Sequence, residues 1–414
     1  MDWATAEWTT GDYDAESHFY PGARTLLELL KAKREQNVFY RNNADGTFTD
    51  ATAAAGLAGH GWGGDCAVFD YDGDGIVDLF VSNMFGASQL FRNDGHARFT
   101  DTTREALGRI AFGAVGTRAF DFDLDGRLDL FVSDMHSDMW VLPDIDPSVL
   151  DVHAEYTKFM GPMIDLGLVP ESMERQYALA AWIDYKSVLF GNALHRNLGG
   201  GRFEEVSDRA RSETFQTWGV APADFRNAGM EDVFLPAGMG FPYFVWDNRY
   251  LQNNGDGTFA ENAAAAGLAP APGGPFLDLV IRGKRAPKSS RSAATADFDG
   301  DGRVDLVVNN FNGRAYLYMN RSPVRTWIEF RLTGTRSNRD AIGALVTIEA
   351  GARTQVRQVQ AAGGYLAQSS KTLHFGLAGG NEVTACEIRW PSGHVQRIEK
   401  PAAGRLHEVT EPPQ

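Results

Sequence analysis

Two cysteines in 414 residues, Cys66 and Cys386, lie too far apart to build a disulfide framework. They read as two buried free thiols, with one long-range bridge as the alternative, because Cys66 sits in a strand-like run. No stretch approaches the roughly 20 apolar residues that cross a bilayer, so no membrane span is expected. The opening MDWATAEWTT lacks the basic-then-apolar order of an export signal, which points to the cytoplasm if the sequence is complete. Positive charge is also scarce. A formal net charge of −15 excludes a nucleic-acid partner, since phosphates need a positive field. The chain contains no Ser-His-Asp order, no phosphate-cradling glycine loop and no Cys/His spacing for zinc.

Glycine and phenylalanine are plentiful instead, at 45 and 26 residues, as short strands joined by tight turns require. Four segments share one pattern of strand A, polar loop and strand B. They are AVFDYDGDGIVDLFVSN (67–83), RAFDFDLDGRLDLFVSD (118–134), PADFRNAGMEDVFLPAG (222–238) and TADFDGDGRVDLVVNN (295–310). Strands C and D repeat as well, in VFYRNNADGTFTD, LFRNDGHARFTD, LHRNLGGGRFEEV and YLQNNGDGTFAEN, where Asn and Gly supply the positive φ of a hairpin turn. Self-similarity at this period predicts an all-β propeller in which each unit buries its neighbours. The first hairpin, Val38 to Asp50, has no strands A and B before it, so another part of the chain is expected to close that blade.

The FDxDxDGxxDLfv and lFRNxGxxFtD strings, over roughly residues 38–320, resemble the FG-GAP or VCBS repeat family. GGYLAQSSKTLHFGLA (363–378) and IRWPSG (388–393) resemble the ASPIC and UnbV domain, so the whole chain is similar to bacterial relatives of the cartilage acidic protein family. That resemblance implies a seven-bladed propeller and a secreted, extracellular or periplasmic protein. The repeats themselves give four full blades and a half, and six blades remain the alternative count. The chain divides into an N-terminal helical extension (1–37), the propeller repeats (38–321, with a helical insert over about 136–192) and an ASPIC/UnbV-like β segment (322–414). The last either completes the propeller or forms a small β-sandwich.

The loop DYDGDGIVD offers Asp70, Asp72, Asp74, the carbonyl of Ile76, and Asp78, with Gly75 at the sharp sixth position. The second loop offers Asp121, Asp123, Asp125, the carbonyl of Arg127, and Asp129; the fourth offers Asp297, Asp299, Asp301, the carbonyl of Arg303, and Asp305. Hard oxygens in this number suit Ca2+, and about three structural ions are expected, which would bring the formal charge from −15 to −9. An EF-hand would place its last acid at the twelfth position between helices, whereas here it is ninth and flanked by strands. The third loop, DFRNAGMED, has Arg226 and Ala228 where ligands belong. No metal is expected there, and Arg226 should pair with Asp224 and Asp232.

Adjacent antiparallel strands put the acidic loops on one face and the long inserts on the other. ESMERQYALAAWIDYKSVLF (171–190) and TLLELLKAKREQ (25–36) read as helices. Met84, Phe85, Trp140, Trp218, Met239, Phe241 and Phe311 are placed to line an apolar mouth for a small molecule or a protein ligand. The bland alternative is a lid packed on itself. Asp134, His136 and Asp138 form the candidate acid–base group of a cyclase or isomerase acting on a hydrophobic substrate; the competing function is a calcium-stabilised binding module. The basic run RGKRAPKSSR (282–291) reads as a solvated loop.

Overall fold

The computed structural model describes residues 37–413, apart from 136–187, 239–246 and positions 60–61, 85–86, 112, 190, 215, 270–272, 275, 282–283, 312, 362 and 381. The expected helix at 25–36 lies outside the described residues, as does nearly all of that at 171–190. The exception is Val188–Leu189, which is extended and pairs in parallel with Ile110–Ala111.

The repeats fold as antiparallel sheets in chain order. The first is Trp62–Phe69, Asp78–Met84, Gln89–Asn93 and Phe99–Asp101; the second is Ala114–Phe120, Asp129–Asp134, Ala193–Gly199 and Arg202–Glu205. The third is Ala221–Ala223, Asp232–Leu235, Arg249–Asn253 and Phe259–Glu261, and the fourth is Ser290–Ala296, Asp305–Asn310 and Tyr316–Tyr318. The N-terminal hairpin, Tyr40–Asn42 with Phe48–Asp50, pairs with no other strand among the described residues. Each strand B is apolar on both pleats because each sheet is covered on both sides. Phe80 enters the core between the first two sheets, while Leu79 and Val81 pack toward Phe39 and Phe99 near the hairpin. Phe131, Val233 and Phe259 share the next core, and Phe234, Leu306 and Val308 the one after. This nearly all-β, stacked arrangement is β-propeller-like.

Between sheets the contact is also polar. Asn197 Nδ2 donates to the Tyr71 carbonyl of the preceding sheet's loop, Asn253 Nδ2 to that of Phe122, and Asn320 Nδ2 to that of Phe225. The asparagine that ends this part of the hairpin therefore staples the second, third and fourth repeats to the one before, beyond any role in its own hairpin, whereas Asn93 of the first repeat donates to the Val77 carbonyl of its own loop.

Residues 327–410 form two sheets of their own. Trp327–Thr333 lies between Leu373–Gly376 and Leu406–Thr410, and Leu345–Ala350 lies between Arg353–Gln358 and Ala385–Arg389, with Val395–Glu399 outermost. Phe330, Ile348, Phe375, Ile388 and Trp390 fill the space between them, and among the described residues neither sheet pairs with a blade strand. Cys386 is buried in this core and Cys66 is half-buried in the first sheet; both are free thiols. From this unit the segment 360–370 runs back along the first strands of the repeats. Gln360 Nε2 donates to the Ala119 carbonyl, Gly364 N to Thr117, Tyr365 N to Asp65 Oδ2, and Ser370 N to Thr295. Gly364 has φ +79°, and a Cβ there would lie 2.2 Å from the Val220 carbonyl oxygen. Gly364→Ala should therefore unseat the segment and lower the urea midpoint by an amount equivalent to about 1–3 kcal/mol; an unchanged midpoint would show that the segment contributes nothing to stability.

Glu411 locks the C-terminal strand. Its Oε2 accepts the N–H groups of Thr335, Arg336 and Ser337, and its Oε1 accepts the hydroxyls of Ser337 and Ser392. Burial alone would raise its pKa, but these donors bring it down to about 2 from an ordinary 4.5. A depressed folded-state pKa stabilises above the unfolded value and is lost as pH falls toward 2. Glu411→Gln should thus destabilise at pH 7 and flatten the loss of stability between pH 4.5 and 2, read by thermal melts across that window.

Candidate metal loops and the opposite face

Each acidic loop is built around its first and last aspartates. Asp70 accepts the N–H groups of Gly73 and Gly75, Asp121 those of Asp125 and Gly126, and Asp297 those of Gly300, Asp301 and Gly302. The sixth-position glycines carry φ of +87°, +86° and +79°, the left-handed turn the spacing requires. Asp78, Asp129 and Asp305 each accept one N–H from the loop's second residue and one from the strand C asparagine: Tyr71 and Asn93, Phe122 and Asn197, Phe298 and Asn320.

Three aspartates converge in each loop: Asp70, Asp72 and Asp78; Asp121, Asp123 and Asp129; Asp297, Asp299 and Asp305. Each group offers carboxylate oxygens within 4.8 Å of one another. Ligand oxygens about 2.3–2.6 Å from one calcium ion lie at most about 5 Å apart, so the spacing suits that ion. The fifth-position carboxylates turn elsewhere. Asp74 accepts the Ile76 N–H, Asp125 pairs with the side chain of Arg127, and Asp301 with that of Arg303. Arg196 Nε also reaches Asp123 at 2.5 Å. Burial and the neighbouring carboxylates raise Asp78 and Asp121 to about 7 and Asp129 well above its ordinary value, so the ionised forms are costly without a cation.

The third loop keeps the same backbone. Asp224 accepts the Ala228 and Gly229 N–H groups, and Asp232 accepts that of Asn253. Arg226 grips Asp232 through Nη2 at 2.7 Å and Nε at 3.0 Å. No hydrogen bond joins Arg226 to Asp224, whose guanidinium neighbour besides Arg226 is Arg357 of the C-terminal unit. The expected direct pairing therefore forms with Asp232 and not with Asp224, which is held by backbone N–H groups.

On the other face, Phe85, His136, Asp138, Trp140, Met239 and Phe241 lie outside the described residues. Met84, expected to line a mouth, is instead buried in a packed cluster with Val115, Met135, Trp218 and Tyr365, to which the C-terminal segment contributes a ring. Tyr365 packs on Trp218 at 5.5 Å between centroids. The Arg291 guanidinium stands 3.9 Å from the Trp218 ring and 5.0 Å from that of Phe311, which is 49% exposed. Burial lowers Arg291 to about 10. The end of the basic run is thus drawn into an aromatic cluster rather than solvated, because a guanidinium face is weakly hydrated and stacks on indole. Asp134 is buried, and its Oδ2 accepts the Gly113 N–H at 2.8 Å. Among the described residues no helix is long and apolar enough to cross a membrane.

Repeated sheets, acidic A–B loops and a separate C-terminal β unit define an FG-GAP repeat protein with an ASPIC and UnbV domain. Residues 26–81 and 70–132 match the FG-GAP-like repeat, 290–318 the FG-GAP repeat, and 334–414 ASPIC and UnbV. Among named proteins, the chain is similar to cartilage acidic protein 1 of Homo sapiens, 24% identical over 62% of this chain and 40% of the relative. It is similar also to that of Mus musculus, 24% identical over 86% and 56%. The chain spans about half the length of these curated relatives. A solved structure, the V. cholerae biofilm matrix protein Bap1, covers 88% of this chain and 62% of its own at 9% identity and a TM-score of 0.26.

Arg226→Ala would leave Asp232 buried without its cation, so a loss of about 3–5 kcal/mol is expected, measured by denaturant unfolding. A loss below about 1 kcal/mol would mean that the Tyr250 hydroxyl and Asn253 N–H suffice for this carboxylate.

Proposed function

We propose that the chain is a calcium-stabilised binding protein that holds one Ca2+ in each of its three complete acidic loops. Its ligand, an apolar small molecule or a protein, docks on the face that carries the Trp218 cluster. The observation that carries this reading is the contrast among loops of one backbone design. Three bring a trio of carboxylates together, and the remaining one, the third loop, keeps the first and last aspartates and puts Arg226 in place of the middle acid. A cation-dependent structural role explains both cases. Calcium would neutralise the aspartates that burial makes costly and would fix strand A against strands B and C. The relatives' name, referring to cartilage, favours a place outside the cell. For the acid–base alternative, Asp134 is the only described member of its group, and its carboxylate holds a backbone N–H.

Elemental analysis after dialysis against calcium should count three ions per chain, and Asp72→Ala combined with Asp123→Ala should leave one. Chelation should lower the melting midpoint, since a site saturated about 1,000-fold adds about 4 kcal/mol. A count of zero, or a midpoint indifferent to chelator, would overturn the calcium reading.

A further inference from the structure

The blades and the C-terminal sheets enclose a cavity of about 420 Å³ on the metal-loop side, away from the Trp218 cluster. Its walls come from the second, third and fourth repeats and from the strands Trp327–Thr333 and Arg353–Gln358. Small-molecule sites span roughly 300–1,000 Å³, so the space is large enough for one.

The wall is unusually polar for an interface between two packed units. Arg357 is 6% exposed and Glu231 is 8% exposed; their Nε and Oε2 atoms stand 3.4 Å apart as an ion pair without forming a hydrogen bond. Arg357 Nη2, Gln358 Oε1, Gln360 Oε1 and His374 Nδ1 also have no protein partner. Buried polar atoms are rarely left unpaired, and here donors and acceptors gather around one space. Charge is nearly balanced around it: Arg118, Arg331 and Arg357 face Asp224, Glu231, Asp297 and Glu329. That balance disfavours an anion or a cation as occupant and leaves selection to hydrogen bonds. Guanidinium, amide and carboxyl groups are planar forks that match adjacent hydroxyls. Trp327 adds an apolar surface. Its indole is fixed against Gly302, where a Cβ would sit 1.7 Å from Nε1, and is stacked on His374 at 19°.

We propose that this cavity binds a neutral polyhydroxylated ligand of one or two sugar rings, held by Arg357, Gln358, Gln360 and Glu329 beside Trp327. The site is distinct from the docking face above; Asp297 of the fourth acidic loop is one of its wall residues, so sugar binding is measured both with and without calcium. The full chain, with and without added calcium, would be titrated with glucose, galactose, mannose and N-acetylglucosamine by ligand-observed NMR and calorimetry, with tartrate and choline as charged controls. At least one sugar should bind and both controls should not. Glu329→Gln and Gln358→Met should each weaken that sugar about tenfold, the loss of one hydrogen bond to a buried group. Melting curves would verify that both variants fold; if one does not, the other decides. The proposal fails if none of the four sugars binds, if a bound sugar ignores the folded variants, or if tartrate or choline competes for the space. A positive sugar result with a calcium count of zero would separate this site from the metal reading.

Discussion

One buried aspartate per repeat holds the architecture together. Asp78, Asp129, Asp232 and Asp305 each sit at the start of strand B and accept an N–H from the asparagine that ends the first half of the C–D hairpin. In the three complete loops the same carboxylate also accepts an N–H from the start of the loop. In the second, third and fourth repeats the asparagine side chain then reaches the preceding repeat. Strands A, B and C and the neighbouring sheet are thus linked through two side chains. A carboxylate suits this position because it accepts several N–H groups at once, where a neutral amide would turn a donor toward them.

The cost of that choice is buried negative charge, and the molecule meets it in two ways. Loops one, two and four add further carboxylates, which the proposed calcium ions would neutralise. Loop three removes two of them and supplies Arg226. The second solution is a permanent cation that needs no ion from solution. Arg357 extends it, because its guanidinium lies near Asp224, Glu231 and Asp121 and joins the C-terminal unit electrostatically to the second and third repeats.

Much of this was legible in the residues. The acidic spacing and its glycine, the repeated strand pairs and the loss of two acids in DFRNAGMED all have local causes, so the sequence displays them directly. What escaped it is non-local. The carboxylate–asparagine link joins residues 15 to 68 positions apart, although an Asn recurring after Arg or Gln in each hairpin was a visible signal. GGYLAQSS gave a resemblance but no hint that it would lie along the repeats, because only the assembled first strands create its groove. Arg291 looked like part of a solvated basic run, and its burial depends on Trp218 and Phe311 from other repeats.

The segment 360–370 makes the two named regions mechanically interdependent. Asp65 Oδ2 accepts the N–H of Thr117 in the second repeat and that of Tyr365 in the C-terminal segment, so one carboxylate spans three parts of the chain. Burial raises the pKa of this group, and backbone donors oppose that shift, so removing the segment would take away a donor that holds its charge. Tyr365 then packs against Trp218, which also stacks on Arg291. The same segment, at Ser369 and Ser370, lines the polar cavity on the metal-loop side, so a displacement of Trp218 would be felt there through Tyr365. The two faces are connected by a short, well-bonded length of backbone, and coupling between them requires only that this segment have a second seated position.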